Sequence, residues 1–260
     1  MNRDLHTAKS DTVLAHLPVR RKRAGLALAE GERVAAMALD GAWEALLLFM
    51  REDFAGTSVA QQFHEAAGAR KIRVIHCNAG AMEKLSDCET PPPVGVLVRP
   101  PGVTALPDSS RILVLDGVRD PGNAGTLVRS AAAFGFAAVL ADTSINLYNE
   151  KMIRASAGTC FLPGAVAAGG SPADLSRELA GRGFRIVTLE PRADHDLRDV
   201  ALDPKRPLAL VLGGEVAGID PAAWVGATGA RIPMRRDVES LNVGVAGAIA
   251  LYELSSRIPR

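Results

Sequence analysis

Residues 231–254 read RIPMRRDVESLNVGVAGAIALYEL, and the fold turns on them. An apolar pair, Ile232 and Met234, brackets Pro233, and the charged run Arg235-Arg236-Asp237 follows. After Glu239-Ser240-Leu241-Asn242 a helical pattern continues to Leu254. Leu241, Val245, Ala248 and Tyr252 recur at helical spacing and are expected to form its core stripe. Ser240 stands where an N-cap is expected. Gly244 and Gly247 each cost about 1 kcal/mol relative to Ala inside a helix. With Ser240 they make a stripe of small residues, the pattern expected where another backbone or a ligand comes close. Taken alone, the stretch equally suits a polar loop leading into an amphipathic terminal helix.

Two upstream segments change that reading. Residues 111–135 are RILVLDGVRDPGNAGTLVRSAAAFG, and residues 208–219 are LALVLGGEVAGI. In this order and near these separations, the three segments closely resemble the three motifs of the SpoU/TrmH class of the SPOUT superfamily. Members of that class are S-adenosylmethionine-dependent RNA ribose 2'-O-methyltransferases. The class pattern runs D-x-v-x-d-P-x-N-x-G-x-x-x-R, then l-G-x-E-x-x-G, then I-P-M and S-L-N-V. Every strongly typed position is met between residues 111 and 254, over half of the chain.

Composition sets the bounds. The 260 residues allow one large domain or two modest ones, and 48% are hydrophobic, enough for a real core. Only 4% are aromatic, which argues against a surface built on many stacked bases. Thirty basic residues against 29 acidic ones leave +1, so any nucleic-acid binding must rest on local patches. Cys77, Cys88 and Cys160 show no metal-ligand spacing and imply no disulfides, so neither a metal nor an oxidising compartment is expected. No apolar run approaches the roughly 20 residues that span a bilayer, and the start of the chain lacks a signal-peptide core. A soluble, cytoplasmic protein without a membrane partner is the expectation.

Along the chain, residues 1–20 are expected to be loosely ordered. Arg20-Arg21-Lys22-Arg23 is the densest basic run. It suits first a solvated charge run; the functional reading is an RNA phosphate contact. Leu26–Arg33 then resembles the opening of the small substrate-binding domain that precedes many SpoU enzymes. Alternating patterns follow: helix over Glu32–Leu39, strand over Trp43–Met50, helix over Ser58–Ala67, strand over Ile72–Cys77, helix over Ala79–Leu85, strand over Val94–Val98. They predict a small α/β layer, and the resemblance implies one of the ribosomal-protein-like kind. The Pro- and Gly-rich stretch Pro100–Asp108 reads as a linker, dividing a domain over 1–104 from one over 105–260. In the second, continuous apolar runs at Ile112–Leu115, Ala137–Ala141, Phe161–Val166, Phe184–Leu189, Leu208–Leu212 and Ala230–Pro233 alternate with helical segments. These are Ala124–Phe134, Asn149–Ala157 and Ala173–Ala180. An open parallel α/β sheet with helices on both faces follows. The resemblance implies more: a SPOUT α/β-knot in which the terminal segment threads a loop, which periodicity cannot predict.

A dinucleotide fingerprint and a Walker lysine are both missing. Loops at the carboxyl ends of strands are where an open α/β sheet binds ligands, which points to Gly213-Gly214-Glu215 and Ile232–Leu241. By resemblance, Gly213, Gly214, Ile232, Met234 and Leu241 are the S-adenosylmethionine positions, and Arg129, Asn123, Glu215, Ser240 and Asn242 the catalytic ones. Read without the resemblance, Asn123 begins a helix as an N-cap and Arg129 is a surface charge. The class proposes the matching Arg as general base. With a guanidinium pKa above about 12, a clamp on phosphate and ribose is the better reading. Glu215 is expected to order the cofactor loops through backbone hydrogen bonds, and Ser240 and Asn242 to position the ribose or Arg129. The class site lies at a dimer interface, so a homodimer is expected, its close packing served by the small-residue face of the last helix. A ribose 2'-hydroxyl acceptor means RNA. The N-terminal domain favours large-subunit rRNA over tRNA, and an RNA-binding protein that kept the fold without catalysis is the alternative of another kind.

Overall fold

The computed structural model describes residues 24–102, 106–235 and 237–258; Arg20, Arg21, Lys22 and Arg23 lie outside them. The chain divides into two compact units, Met1–Pro100 and Pro101–Arg260.

The first unit runs β1 Ala27–Glu30, α1 Glu32–Asp40, β2 Glu44–Arg51, α2 Ser58–Ala69, β3 Arg73–Cys77, α3 Ala79–Leu85 and β4 Val94–Arg99. Its sheet has the order β1-β4-β2-β3. β4 pairs antiparallel with β1 and β2, whereas β2 and β3 run parallel. The parallel pair needs a crossover, and α2 supplies it. Local chemistry starts the helices: Thr57 Oγ1 accepts from the Ala60 N–H at 3.1 Å, and Asn78 Oδ1 from the Ala81 N–H at 2.9 Å. Leu28, Phe49, Met82, Leu85 and Leu97 fill the core. β1 is the strand that the sequence patterns leave unassigned, because its alternating Ala and Leu are as compatible with a helix.

The second unit runs β5 Arg111–Asp116, α4 Pro121–Ala133, β6 Ala137–Leu140, α5 Glu150–Ala155, β7 Val166–Ala168, α6 Pro172–Gly181, β8 Arg185–Leu189, β9 His195–Asp196, β10 Leu208–Gly213, β11 Thr228–Arg231 and α7 Val243–Ser256. All seven strands are parallel, in the order β7-β6-β5-β10-β8-β11-β9. On one face Ile112, Val114, Ala209 and Val211 pack with Leu175 and Leu179 of α6 and with Trp224. The other face carries α4 and α7, which pack on each other and on β6 and β10 respectively. Both faces are covered, which is why the central strands are apolar throughout.

Three expectations need correction here. Phe161–Val166 is not a strand: Thr159–Phe161 is a 3-10 turn, Pro163 and the positive-φ Gly164 bend the chain, and β7 begins at Val166. The N-cap of α7 is Asn242, not Ser240; its Oδ1 accepts from the N–H groups of Gly244 and Val245 at 2.9 and 3.2 Å. The third concerns the face of α7. Val245, Ile249 and Tyr252 are exposed, while Gly244, Gly247, Ala250, Leu251 and Leu254 are buried. Gly247 sits beneath Leu127 of α4 and Leu212 of β10, so close that a Cβ there would overlap both. The small-residue face therefore packs inside the chain. Among the described residues no helix is long and apolar enough to cross a membrane.

Candidate active site

Strand ends converge on one cavity. The turns after β8, β10 and β11 and the loop before α7 line a cleft of about 880 Å³ at the carboxyl ends of the strands. In a parallel sheet this edge gathers the loops that bind ligands. Gly213, Gly214, Ile232, Met234 and Leu241 all line the cleft, and so do Glu215, Ser240 and Asn242.

The glycines are required by neighbours. A Cβ on Gly214 would overlap the carbonyl of Gly117, so the turns after β5 and β10 meet backbone to backbone. A Cβ on Gly213 would meet the backbone of Gly218 at 2.5 Å, which folds residues 213–219 back on themselves. The Gly218 N–H donates to the Gly214 carbonyl at 3.0 Å to close that turn. The end of β5 is held by Asp116. This buried carboxylate accepts from Trp224 Nε1 at 2.8 Å and from Thr143 Oγ1 at 2.9 Å.

A hydrogen-bond chain joins three of the predicted catalytic residues. Asn242 Nδ2 donates to Asn123 Oδ1 at 3.0 Å, and Asn123 Nδ2 donates to Glu215 Oε1 at 2.6 Å. The amide orientations follow from the cap. Asn242 Oδ1 is committed to two backbone N–H groups, so its amino group faces Asn123. Asn123 must then accept with its oxygen and donate onward. Glu215 ends the chain as an acceptor, the role of a carboxylate. Its bonding partner is a side chain of α4, which follows the neighbouring strand β5, rather than the loop backbone expected for it. Asn242 likewise positions Asn123, not Arg129.

Asn123 is not an N-cap. Asp120 caps α4, accepting from the Asn123 N–H at 2.8 Å with Pro121 in the first turn. Asn123 thus sits one turn in, with its side chain free for the site. Gly125 packs against Met152, Ala155 and Ser156, with no room for a Cβ, and this fixes α4 on α5. Arg129 is exposed, six residues beyond Asn123 or about 9 Å along the helix. It lies outside the residues that line the cleft. Ser240 lines the cleft but joins no part of the hydrogen-bond chain.

Several lining residues lie outside the three motif segments: Leu189, Glu190, Pro191 and Arg192. The signal for Glu190 and Arg192 was available: they follow a strand at the edge where ligands bind. Chemically the cleft combines apolar walls from Leu189, Ile219, Ile232 and Leu241 with backbone groups and carboxylates at its rim. That set suits a ligand with an apolar ring and hydroxyl donors. Among the described residues no cluster of three His, Cys, Asp or Glu is arranged to hold a metal.

Comparison with known proteins agrees in position. Residues 110–252 match the SpoU rRNA Methylase family, and residues 15–95 match an MRM3-like substrate binding domain. The 23S rRNA (guanosine-2'-O-)-methyltransferase RlmB of Xylella fastidiosa is 40% identical over 154 residues, 58% of this chain and 60% of that protein. The chain thus spans less than two thirds of that relative's length. The 23S rRNA (guanosine(2553)-2'-O)-methyltransferase RlmP of Bacillus subtilis is 31% identical over 189 residues, 70% of this chain and 73% of that protein. Among solved structures, the AdoMet-bound rRNA methyltransferase from Sinorhizobium meliloti superposes with a TM-score of 0.80 at 26% identity. That match covers 98% of this chain and 97% of the other.

Proposed function

The chain belongs to the SpoU rRNA methylase family, and from that premise we propose that it transfers a methyl group from S-adenosylmethionine to a ribose 2'-hydroxyl of RNA, with large-subunit rRNA as substrate. The observation that carries this reading is that residues from all three motifs meet. Asn123, Glu215 and Asn242 are joined by hydrogen bonds beside a cleft lined by Gly213, Ile232 and Leu241. The donor set fits the cofactor: apolar walls for an adenine, backbone groups for its edge, and carboxylates for its hydroxyls. S-adenosylmethionine would supply an electrophilic methyl group on a sulfonium that leaves readily.

What remains for the protein is alignment and the handling of one proton. The chain Asn242–Asn123–Glu215 fixes the wall of the cleft, so the loop carrying Glu215 cannot drift from the α4 N-terminus. Arg129 binds the RNA phosphate and orients the 2'-hydroxyl, a task suited to a guanidinium fork. Replacing Arg129 by Lys keeps the charge and loses the fork. Methyl transfer is expected to drop at least tenfold, as for loss of one charge-assisted hydrogen bond, and a near-normal rate would sink the clamp.

Arg129 stands apart from its own chain's cleft, so the reading includes a homodimer that completes the site. The exposed apolar row Val245, Ile249 and Tyr252 supports it. Tyr252 is braced edge-on by Phe134, with ring centroids 5.8 Å apart. The terminal segment is read as threaded through a trefoil knot, an interpretation supported by β10 lying between β5 and β8 and by α7 packing back on α4. The first unit, with Arg20–Arg23, is read as the RNA-docking domain. An rRNA substrate implies a cytoplasmic protein.

The test is labelled-methyl transfer to total RNA, with Arg129→Ala as control and mapping of 2'-O-methylated positions. Label in large rRNA that vanishes in the variant is expected. Label in tRNA would keep the chemistry and replace the substrate. Failure of the folded protein to bind S-adenosylmethionine would overturn the reading in favour of a non-catalytic RNA binder.

A further inference from the structure

Glu190 follows the last residue of β8 and lines the cleft, but it belongs to none of the three motifs. Its turn is held firmly. The Glu190 N–H donates to the Ala230 carbonyl at 2.8 Å, and the Ala193 N–H donates back to the Glu190 carbonyl at 3.3 Å. Arg231 Nη1 donates to the Ala193 carbonyl at 2.5 Å. The carboxylate is oriented as well. Buried Thr188 donates its hydroxyl to Glu190 Oε1 at 2.6 Å. Opposite stands Gly229 of β11, where an added Cβ would come within 3.4 Å of the same oxygen. Oε2 takes no hydrogen bond among the described residues.

An ionised carboxylate only accepts, so the group that meets Oε2 in the cleft must be a donor. S-adenosylmethionine offers three kinds, the ribose diol, the adenine amino group and the α-ammonium. The neighbouring walls are Leu189 and Ile232, which favour the nucleoside end over a strongly hydrated ammonium. A carboxylate at a strand end is also how other parallel sheets hold a ribose hydroxyl. The geometry points to Glu190 as the residue that recognises the ribose diol of the cofactor, through Oε2, with Thr188 and Gly229 fixing its orientation. This rests on the methyltransferase reading above.

Calorimetry tests it with three probes: S-adenosylhomocysteine, 5'-methylthioadenosine, which lacks the ammonium, and 5'-methylthioadenosine stripped of both ribose hydroxyls. Glu190→Gln is expected to weaken binding of the first two about tenfold, the loss of a charge-assisted hydrogen bond. It is expected to bind the stripped compound as the unaltered protein does. Glu190→Asp, which retracts the carboxylate, is expected to give the same pattern. A loss confined to S-adenosylhomocysteine would assign the ammonium instead and overturn the proposal. So would an equal loss for all three probes, or no loss. If the unaltered protein binds no S-adenosylhomocysteine, the methyltransferase reading falls with it.

Discussion

Asn242 serves two structures with one amide. Its oxygen caps α7 and its amino group orders Asn123. Asn242→Asp keeps the cap and removes the donor. Asn123 would then turn its amino group to the new carboxylate and its oxygen toward Glu215, setting two acceptors face to face. The expected outcome is a melting temperature near that of the unaltered protein and methyl transfer reduced about 10–100-fold, the range for one hydrogen bond to a charged group. Asn242→Ala is expected to lose activity and also about 1 kcal/mol of stability with the cap. Thermal melts beside a transfer assay separate the two roles. The residue types at these positions are legible from the motifs. Their connection is not, because Asn123 and Asn242 are 119 residues apart in sequence and meet only through the sheet.

At the scale of elements, α7 is where pattern and packing part. The helix is apolar on nearly every side, so several stripes fit its periodicity equally well. Packing chose the glycine face, because only there can α4 and β10 come close enough to leave no void. The larger apolar residues were left outside. Ile249→Glu is therefore expected to leave the fold intact and shift the proposed dimer to monomer, with analytical ultracentrifugation as the measure. The glycines differ in what they touch. Gly247→Ala would press on the flexible ends of Leu127 and Leu212, and the helix propensity gained offsets part of the strain. Gly214→Ala would press on the Gly117 carbonyl, which belongs to the backbone and cannot swing aside. Urea midpoints are expected to fall modestly for the first and by the equivalent of about 1–3 kcal/mol or more for the second.

At the scale of the whole molecule, each unit buries one thiol. Burial pushes Cys77 and Cys160 up from 9.0 to about 11. The folded chain thus holds these protons more tightly than the unfolded chain. The associated stability is complete below pH 9.0 and is lost as pH rises toward about 11. Urea midpoints are expected to decline across that window. At pH 8 both thiols are expected to resist alkylation until the protein unfolds, a property that mass spectrometry reads directly. By itself the sequence determined the class of fold, since short runs of Val, Leu and Ala alternating with helical patterns fit strands buried on both faces. Through its motifs it also marked Gly213, Ile232 and Leu241, which line the cleft. Only the tertiary structure decided that Asp120 rather than Asn123 caps α4, that Asn242 rather than Ser240 caps α7, which face of α7 is buried, and that Glu190 lines the cleft. The physical reason is one of range. Periodicity reports a residue's immediate neighbours along the chain, whereas a cap's free side chain, a glycine's missing Cβ and a carboxylate's open oxygen acquire meaning from atoms brought near by the sheet.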